Sequence, residues 1–282
     1  MASSVVTGGS PSDDAARIPS VDLAGQSMLA IVQAIPELEA RTGRNAIVIG
    51  GLAVLCRVGS AYRATSDLDT ANRRAAGEPA QLDVLLHYDG VTRAGPAGVW
   101  IPTSAGMVQV DVIEVTDAEL NQLPEDETDR LAVLSHTWAI QTAAPVRIRA
   151  ANSSGSSTTE AVVRVAEPGP LIAMKLQSIM NRPVDKERTD LLDIVRLILD
   201  LTAGPIARMQ LGAADAQLAA DARLHAHRWF VDLRDQTLRL IRELPEGAGI
   251  DADTVQLVGE LLLAELDRSD PPGNPAPERP GQ

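Results

Sequence analysis

The apolar positions in the first part of the chain indicate helices and strands in alternation. Between 21 and 40 they recur at helical spacing, and Gly43 follows as a residue type that commonly ends a helix. The run NAIVIGG at 45–51 is a short β-branched segment that ends in a glycine pair, and LAVLCRVGS after it has the pattern of a helix start. This stretch predicts a strand, a glycine turn and a second helix.

Further strands are expected where β-branched residues cluster or where apolar and polar positions alternate. Such segments are QLDVLLHYDG at 81–90, MVQVDVIEV at 107–115, AAPVRIRAA at 143–151 and EAVVRVAEP at 160–168. The first part of the chain is therefore predicted to be a mixed sheet with flanking helices.

From Pro170 the pattern changes to the 3.6-residue period of amphipathic helices. It is present in LIAMKLQSIMNR, DKERTDLLDIVRLILDLT, DAQLAADARLHAHRWFVDLRDQTLRLIREL and DADTVQLVGELLLAELDR. The chain is therefore predicted to be an α+β protein, in which an N-terminal mixed sheet is followed by a C-terminal helical bundle.

The amino-acid composition indicates where these parts begin and end. Residues 1–17 and 268–282 are rich in the small, polar and proline residues that are typical of disordered ends. We therefore expect an α/β domain at 18–169 and a helical domain at 170–267. A chain of 282 residues is long enough for two such domains.

Composition also limits the functional class. Cys56 is the only cysteine, which excludes an internal disulfide and a cysteine-based zinc site. Because no stretch approaches the roughly 20 apolar residues of a membrane helix and the first residues lack the pattern of a signal peptide, we expect a cytoplasmic protein without a membrane partner. The formal net charge of −13 argues against binding of nucleic acid by bulk electrostatics.

An acidic pair lies in the segment YRATSDLDT at 62–70. Asp67 and Asp69 alternate with Leu68, so on a strand both carboxylates point to one face while the leucine points into the core. Two carboxylates so placed repel each other unless a cation lies between them, and oxygen ligands are those that Mg²⁺ prefers. The pair predicts a site for Mg²⁺ or Mn²⁺, although a solvated strand end would have the same pattern.

Residues around the acidic pair extend this hypothesis to a nucleoside triphosphate. Gly50 and Gly51 allow backbone N–H groups to approach a phosphate closely at the start of a helix, where the helix dipole also favours an anion. Arg63 and Thr65 lie on the approach to the pair, where they can contact phosphates or metal-bound water. Together these residues predict a nucleotide-binding site.

A third carboxylate is expected from another strand. Asp111, in the alternating segment at 107–115, would join the acidic pair as a metal ligand if its strand is adjacent in the sheet. Asp83 in QLDVLL is the alternative third acid.

Two motifs resemble those of known nucleotidyltransferases. IGGLAV followed by YRATSDLD resembles the glycine pair and R-x-[ST]-x-D-x-D motif of the polymerase-β-like nucleotidyltransferases. AMKLQSIMNRPVDKERTDLLDIVRL at 173–197 is similar to a helical motif of the AbiEii/AbiGii toxin family, which includes the MenT-type toxins. The residues that fit this second motif are Lys175, Arg182, Lys186, Asp190 and Asp193. The resemblance spans roughly residues 45–197.

The resemblance implies a role for each matching residue. Asp67 and Asp69 would bind the catalytic metal, and Thr65 would neighbour the phosphates. Lys175 would bind the triphosphate and stabilise charge as pyrophosphate leaves. Asp190 would complete the catalytic site from the helical part.

Simpler interpretations of the second motif stay open. Lys175 can be a helix residue that extends its ammonium to solvent along an apolar surface. Asp190 and Asp193 are one helical turn apart and can pair with Lys186 or Arg196 on a solvated face.

By resemblance, the expected function is metal-dependent transfer of a nucleoside monophosphate from an NTP to an acceptor hydroxyl. The resemblance further implies a toxin of a toxin–antitoxin system, with the tRNA 3′ end as acceptor and a cognate antitoxin as partner. Two alternatives remain open. One is a nucleotidyltransferase that acts on a small-molecule hydroxyl, as the aminoglycoside enzymes do, and the other is a catalytically silent nucleotide-binding protein of the same fold.

Overall fold

The computed structural model describes residues 18–60, 62–180 and 184–269. The N-terminal segment predicted to be disordered, residues 270–282 of the C-terminal one and the motif residue Arg182 lie outside this part of the chain.

Strands dominate the first part of the described chain and helices the second. The strands are β1 Ser20–Ala24, β2 Ile47–Val48, β3 Asp67–Arg74, β4 Thr92–Arg93, β5 Gly98–Thr103, β6 Gly106–Thr116, β7 Ala144–Ala151 and β8 Thr158–Val165. The helices are α1 Gln26–Thr42, α2 Gly50–Val58, α3 Gln81–Leu86, α4 Asp117–Asn121, α5 Glu127–Thr142, α6 Pro168–Ser178, α7 Val184–Leu199, α8 Ala203–Leu211, α9 Ala216–His227, α10 Arg234–Arg242 and α11 Ala252–Leu266. A π-helical turn, Arg228–Asp232, joins α9 to α10.

The eight strands form one mixed sheet in the order β1-β7-β8-β2-β3-β6-β5-β4. The pairs β1/β7, β2/β8 and β3/β6 are parallel, and the other neighbours are antiparallel. β3 therefore lies between β2, which leads into the glycine pair, and β6, which carries Asp111. This order brings segments that are far apart in sequence to one region of the sheet.

The helices α5 and α6 connect the sheet to the helical part. α5 contacts β3 and β6 as well as α6 and α9, and α6 contacts α7, α8 and α9. One cluster of buried apolar residues runs from the strands into these helices, and it includes Val110 of β6, Leu131 of α5 and Leu171 of α6. The sheet and the helices thus share one hydrophobic core.

Several predicted elements are confirmed. The strand, glycine turn and helix at 47–58 are present, and so are the strands at 107–115, 143–151 and 160–165 and the helices beyond 168. Gly43 ends α1 in the left-handed conformation, and its N–H donates to the carbonyl of Glu39. The mixed sheet followed by helices is compatible with the predicted α+β class.

Two predicted elements are wrong. Residues 21–24 belong to β1 and not to a helix, because Val21 and Leu23 alternate with exposed neighbours and pair with β7. The helix begins only after Gly25. The segment 81–86 is the helix α3 and not a strand, with Gln81 and Leu85, four positions apart, as its buried residues.

The sequence patterns assigned no element to residues 116–142, where the structure has α4 and α5. Thr116 and Glu119 form a reciprocal capping box at the start of α4. The Asp126 side chain accepts hydrogen bonds from the N–H groups of Thr128 and Asp129 at the start of α5. These caps were visible in the sequence as local start signals.

Candidate active site

The parallel pairing of β3 with β6 brings three carboxylates together. Leu68 is fully buried, whereas Asp67 and Asp69 on either side of it are partly exposed, as expected for alternating positions on a strand. Asp69 lies opposite Asp111 in the β3/β6 register. One carboxylate oxygen from each of the three aspartates lies within 4.8 Å of the others. This cluster could hold a metal ion.

Neighbouring polar side chains orient the carboxylates. The Thr65 hydroxyl donates to Asp67 Oδ1 over 3.1 Å. Gln109 Nε2 donates to Asp111 Oδ1 over 3.0 Å. Asp83, the alternative third acid, is exposed on α3 and is not part of the cluster. Of the two candidates, the structure therefore brings Asp111 to the acidic pair.

The glycine pair lies where α2 begins beside the cluster. Gly50 has a φ of 65°, and a Cβ at this position would lie 1.9 Å from Asp69 Oδ2. A Cβ at Gly51 would lie 2.9 Å from Arg63 Nη2 and 2.9 Å from Thr65 Oγ1. The absence of a side chain at both positions allows these polar groups to approach the helix start closely.

A buried ionic network lies beside the acidic cluster and the glycine pair. Lys175 is only 6% exposed; its ammonium forms an ion pair with Asp190 and lies 2.9 Å from Asp193 Oδ2. Arg63 donates to both carboxylate oxygens of Asp193, from Nε over 2.8 Å and from Nη2 over 2.7 Å. The Tyr62 hydroxyl donates to the same carboxylate. The network joins the segment before β3 to α6 and α7.

Charge compensation keeps Lys175 and Asp193 ionised. Burial lowers the pKa of Lys175, but the charges of Asp190 and Asp193 outweigh burial, so the net pKa is raised. Burial raises the pKa of Asp193, but the charges of Lys175 and Arg63 and the hydrogen bonds it accepts outweigh burial, so the net pKa is lowered. Both groups therefore stay charged over the physiological pH range.

The simpler interpretations of the second motif are wrong. Lys175 does not extend to solvent, and Asp190 and Asp193 are 1% and 0% exposed and do not lie on a solvated face. Lys186 is exposed and its Nζ lies 4.0 Å from Asp67 Oδ2. Arg196 donates to the backbone carbonyl of Glu246. Lys186 and Arg196, the predicted partners of the two aspartates, thus contact other groups.

The acidic cluster and the ionic network both contribute residues to a cleft of about 390 Å³. Its lining combines two of the clustered carboxylates with cationic, hydroxyl and backbone groups. The lining residues are Ser27, Gly51, Arg63, Ala64, Thr65, Ser66, Asp67, Asp69, Lys175, Lys186, Thr189 and Asp190. The structure thus brings seven of the nine predicted site residues to one cleft; the other two are Asp111, which joins the carboxylate cluster, and Gly50.

A second cavity of about 160 Å³ adjoins the first, and Asp69 and Lys175 line both. Its other walls come from the residue between β2 and α2, the start of α2, β6, α5 and α6. They are Ile49, Gly50, Ile113, His136, Leu171, Met174, Gln177 and Ser178. Ser178 Oγ donates to Asp190 Oδ2 over 2.7 Å, so this wall also supports the ionic network.

Sequence reasoning missed the polar residues of this second cavity. His136 lies on α5, a helix that the apolar pattern did not predict. Gln177 and Ser178 follow Lys175 by two and three positions, so their place in the motif helix was the available signal. No sequence signal pointed to His136.

Comparisons with protein-family models, with curated proteins and with solved structures find no match to this chain. Among the described helices, none has both the length and the apolar character needed to cross a membrane.

Proposed function

We propose that this chain is a nucleotidyltransferase of the polymerase-β-like type, close to the AbiEii/AbiGii toxins, that transfers a nucleoside monophosphate from an NTP to an acceptor hydroxyl. One observation carries the proposal: Asp67 and Asp69 line the same cleft as the cationic groups of Arg63 and Lys175. A triphosphate with its metal ion requires oxygen ligands and cations side by side.

The carboxylate cluster is the proposed metal site. Three oxygens, one each from Asp67, Asp69 and Asp111, lie close enough together to share one ion, and hard divalent ions such as Mg²⁺ or Mn²⁺ prefer such ligands. A bound ion would supply positive charge at the reacting phosphate and lower the pKa of the acceptor hydroxyl.

The residues around the cluster have separate tasks in the proposed transfer. Arg63 and Lys175 bind the triphosphate, and their carboxylate partners Asp193 and Asp190 hold both cations in place. During transfer the bond from the α-phosphorus to the bridging oxygen breaks while the bond to the acceptor oxygen forms, and the acceptor hydroxyl releases its proton to solvent. Lys175 stabilises the negative charge that develops on the departing pyrophosphate.

The proposed acceptor is the 3′ end of tRNA, in the cytoplasm, with an antitoxin as the partner that controls the activity. One observation favours a second candidate. The formal net charge of −13 repels a polyanion outside the cleft, which favours a transferase that acts on a small hydroxylated molecule. A catalytically silent nucleotide-binding protein is the third possibility.

The test is incubation of the purified chain with each α-³²P-labelled NTP, Mg²⁺ and total tRNA, followed by a denaturing gel. We expect label on tRNA with the natural chain and none with Asp67→Ala, because the variant loses one metal ligand. Asp83→Ala is the matched control, since Asp83 is exposed and outside the cluster. Thermal unfolding of each variant verifies that the fold is intact.

The outcomes separate the candidates. Transfer retained by a folded Asp67→Ala variant would contradict the proposal. Transfer to a small hydroxylated molecule but not to tRNA would favour the second candidate, and this reaction should respond little to salt, whereas binding to tRNA weakens steeply with salt. Metal-dependent NTP binding without transfer to either acceptor would favour the silent protein.

A further inference from the structure

The second cavity differs in chemistry from the cleft beside it. The cleft presents three cations, Arg63, Lys175 and Lys186. The cavity is lined by two isoleucines, a leucine and a methionine together with polar groups, and Lys175 is its only lysine or arginine among the described residues. Phosphate groups would lose hydration in such surroundings without enough compensating charge. The cavity therefore suits an uncharged part of a ligand whose charged part lies in the cleft.

Its size limits that part to one small ring system. A volume of about 160 Å³ is below the roughly 300 Å³ at which pockets for whole drug-sized ligands begin. Leu171 and Met174 of α6 line this space together with Ile113 of β6 and Ile49, which lies between β2 and α2. Apolar side chains are the surroundings in which proteins bind a flat heterocyclic base.

Gln177 gives the cavity a polar group with unused hydrogen-bonding capacity. Its side chain is half-buried, and its amide makes no hydrogen bond to any residue in the described part of the chain. The neighbouring polar groups differ: Ser178 donates to Asp190, and His136 Nδ1 donates to the carbonyl of Ala132 over 2.7 Å. A primary amide offers two donors and one acceptor, which matches the donor and acceptor edge of a nucleobase.

We propose that this cavity binds the base of the NTP and that Gln177 determines which base is preferred. The inference rests on the proposed function, since it places the triphosphate in the adjoining cleft. Asp69 and Lys175, which line both spaces, then lie between the base and the phosphates. The end of a polynucleotide acceptor enters from the open cleft, because the cavity holds only one ring system.

The experiment measures binding by isothermal titration calorimetry, with Mg²⁺ and without any acceptor. The ligands are the four NTPs and inorganic tripolyphosphate, which has no base. Gln177→Leu keeps the approximate volume and removes the hydrogen bonds. Gln256→Leu is the matched control, because Gln256 lies on α11 and lines neither space.

We expect the natural chain to prefer one NTP and Gln177→Leu to reduce that preference roughly 5- to 150-fold, the range of a bidentate base contact. Tripolyphosphate should bind equally to both. A second variant, Ile113→Phe, fills the cavity and should bring the affinity of all four NTPs toward that of tripolyphosphate. The control variant should behave like the natural chain.

Three results would overturn the inference, and they differ in what they say about the proposed function. If NTPs and tripolyphosphate bind but Gln177→Leu and Ile113→Phe leave the base preference unchanged, only the base site is wrong. If Gln177→Leu weakens tripolyphosphate as much as NTPs, Gln177 supports the phosphate site instead. If the natural chain binds neither ligand, the proposed function fails together with the inference.

Discussion

At the scale of single residues, Lys175 is a charged side chain that is almost fully buried. The chain has two lysines among 25 basic side chains, so arginine is its usual cation. Lys175 packs its compact ammonium between Asp190 and Asp193, and Arg63 already donates to both carboxylate oxygens of Asp193. A planar guanidinium is larger and donates in a fixed fork, so it would not fit the same contacts.

Replacement of Lys175 by methionine should destabilise the fold. The variant leaves the carboxylates of Asp190 and Asp193 buried without the ammonium, and loss of one partner of a buried ion pair costs about 3–5 kcal/mol in the free energy of unfolding. Lys186→Met, at a side chain that is 54% exposed, is the matched control, and we expect it to change stability by less than about 0.5 kcal/mol. Urea denaturation measures both, and equal effects would contradict the role of Lys175 in the network.

At the scale of elements, the start of α2 is adapted to its neighbour β3. Gly50 follows β2 in the left-handed conformation, so the chain turns directly into the helix, and the missing side chain leaves room for the carboxylate of Asp69. The other end of α2 offers a comparison, because Gly59 has nearly the same φ of 67°, but a Cβ at this position would meet no described atom within 4 Å. A comparison of substitutions at Gly50 and Gly59 therefore distinguishes the cost of backbone strain from the cost of steric overlap.

Gly50→Ala should therefore cost more than Gly59→Ala. The left-handed backbone alone penalises alanine by about 1–2 kcal/mol at either position. At Gly50 the new methyl group also displaces the Asp69 carboxylate, so we expect a further loss of stability and loss of nucleotide transfer. Urea denaturation and the tRNA labelling reaction measure these effects, and equal stability with retained transfer in both variants would refute the close approach of Asp69.

At the scale of the whole molecule, the predicted α/β and helical parts are joined by packing and by charge. The core is continuous from Val110 in the sheet through Leu131 to Leu171 in α6. Arg63, before β3, is bound to Asp193 of α7. The proposed site lies at this junction, so its cleft depends on both parts.

Unfolding should consequently be a single cooperative transition. If sheet and helices share one core, neither part keeps its buried surface when the other unfolds. We expect one peak in differential scanning calorimetry, with a calorimetric enthalpy equal to the van't Hoff enthalpy. Two separate peaks, or a stable fragment that ends at residue 169, would mean that the parts fold independently.

The sequence by itself determined the features that depend on near neighbours in the chain. Alternation placed Asp67 and Asp69 on one face of a strand around Leu68, and the 3.6-residue period predicted the helices after Pro170. The same local patterns failed at 21–24 and 81–86, since short apolar runs fit a strand and a helix equally well and only pairing with β7 or packing against α1 decides between them.

Only the tertiary structure decided which distant residues meet. Asp111 joins Asp69 because β6 pairs with β3 in one register, and a shift of one residue would turn its side chain to the other face. His136 and Gln177 line one cavity because α5 packs against α6. Strand order, register and helix packing depend on the burial of surfaces that are far apart in sequence. The local spacing of apolar residues therefore does not predict them.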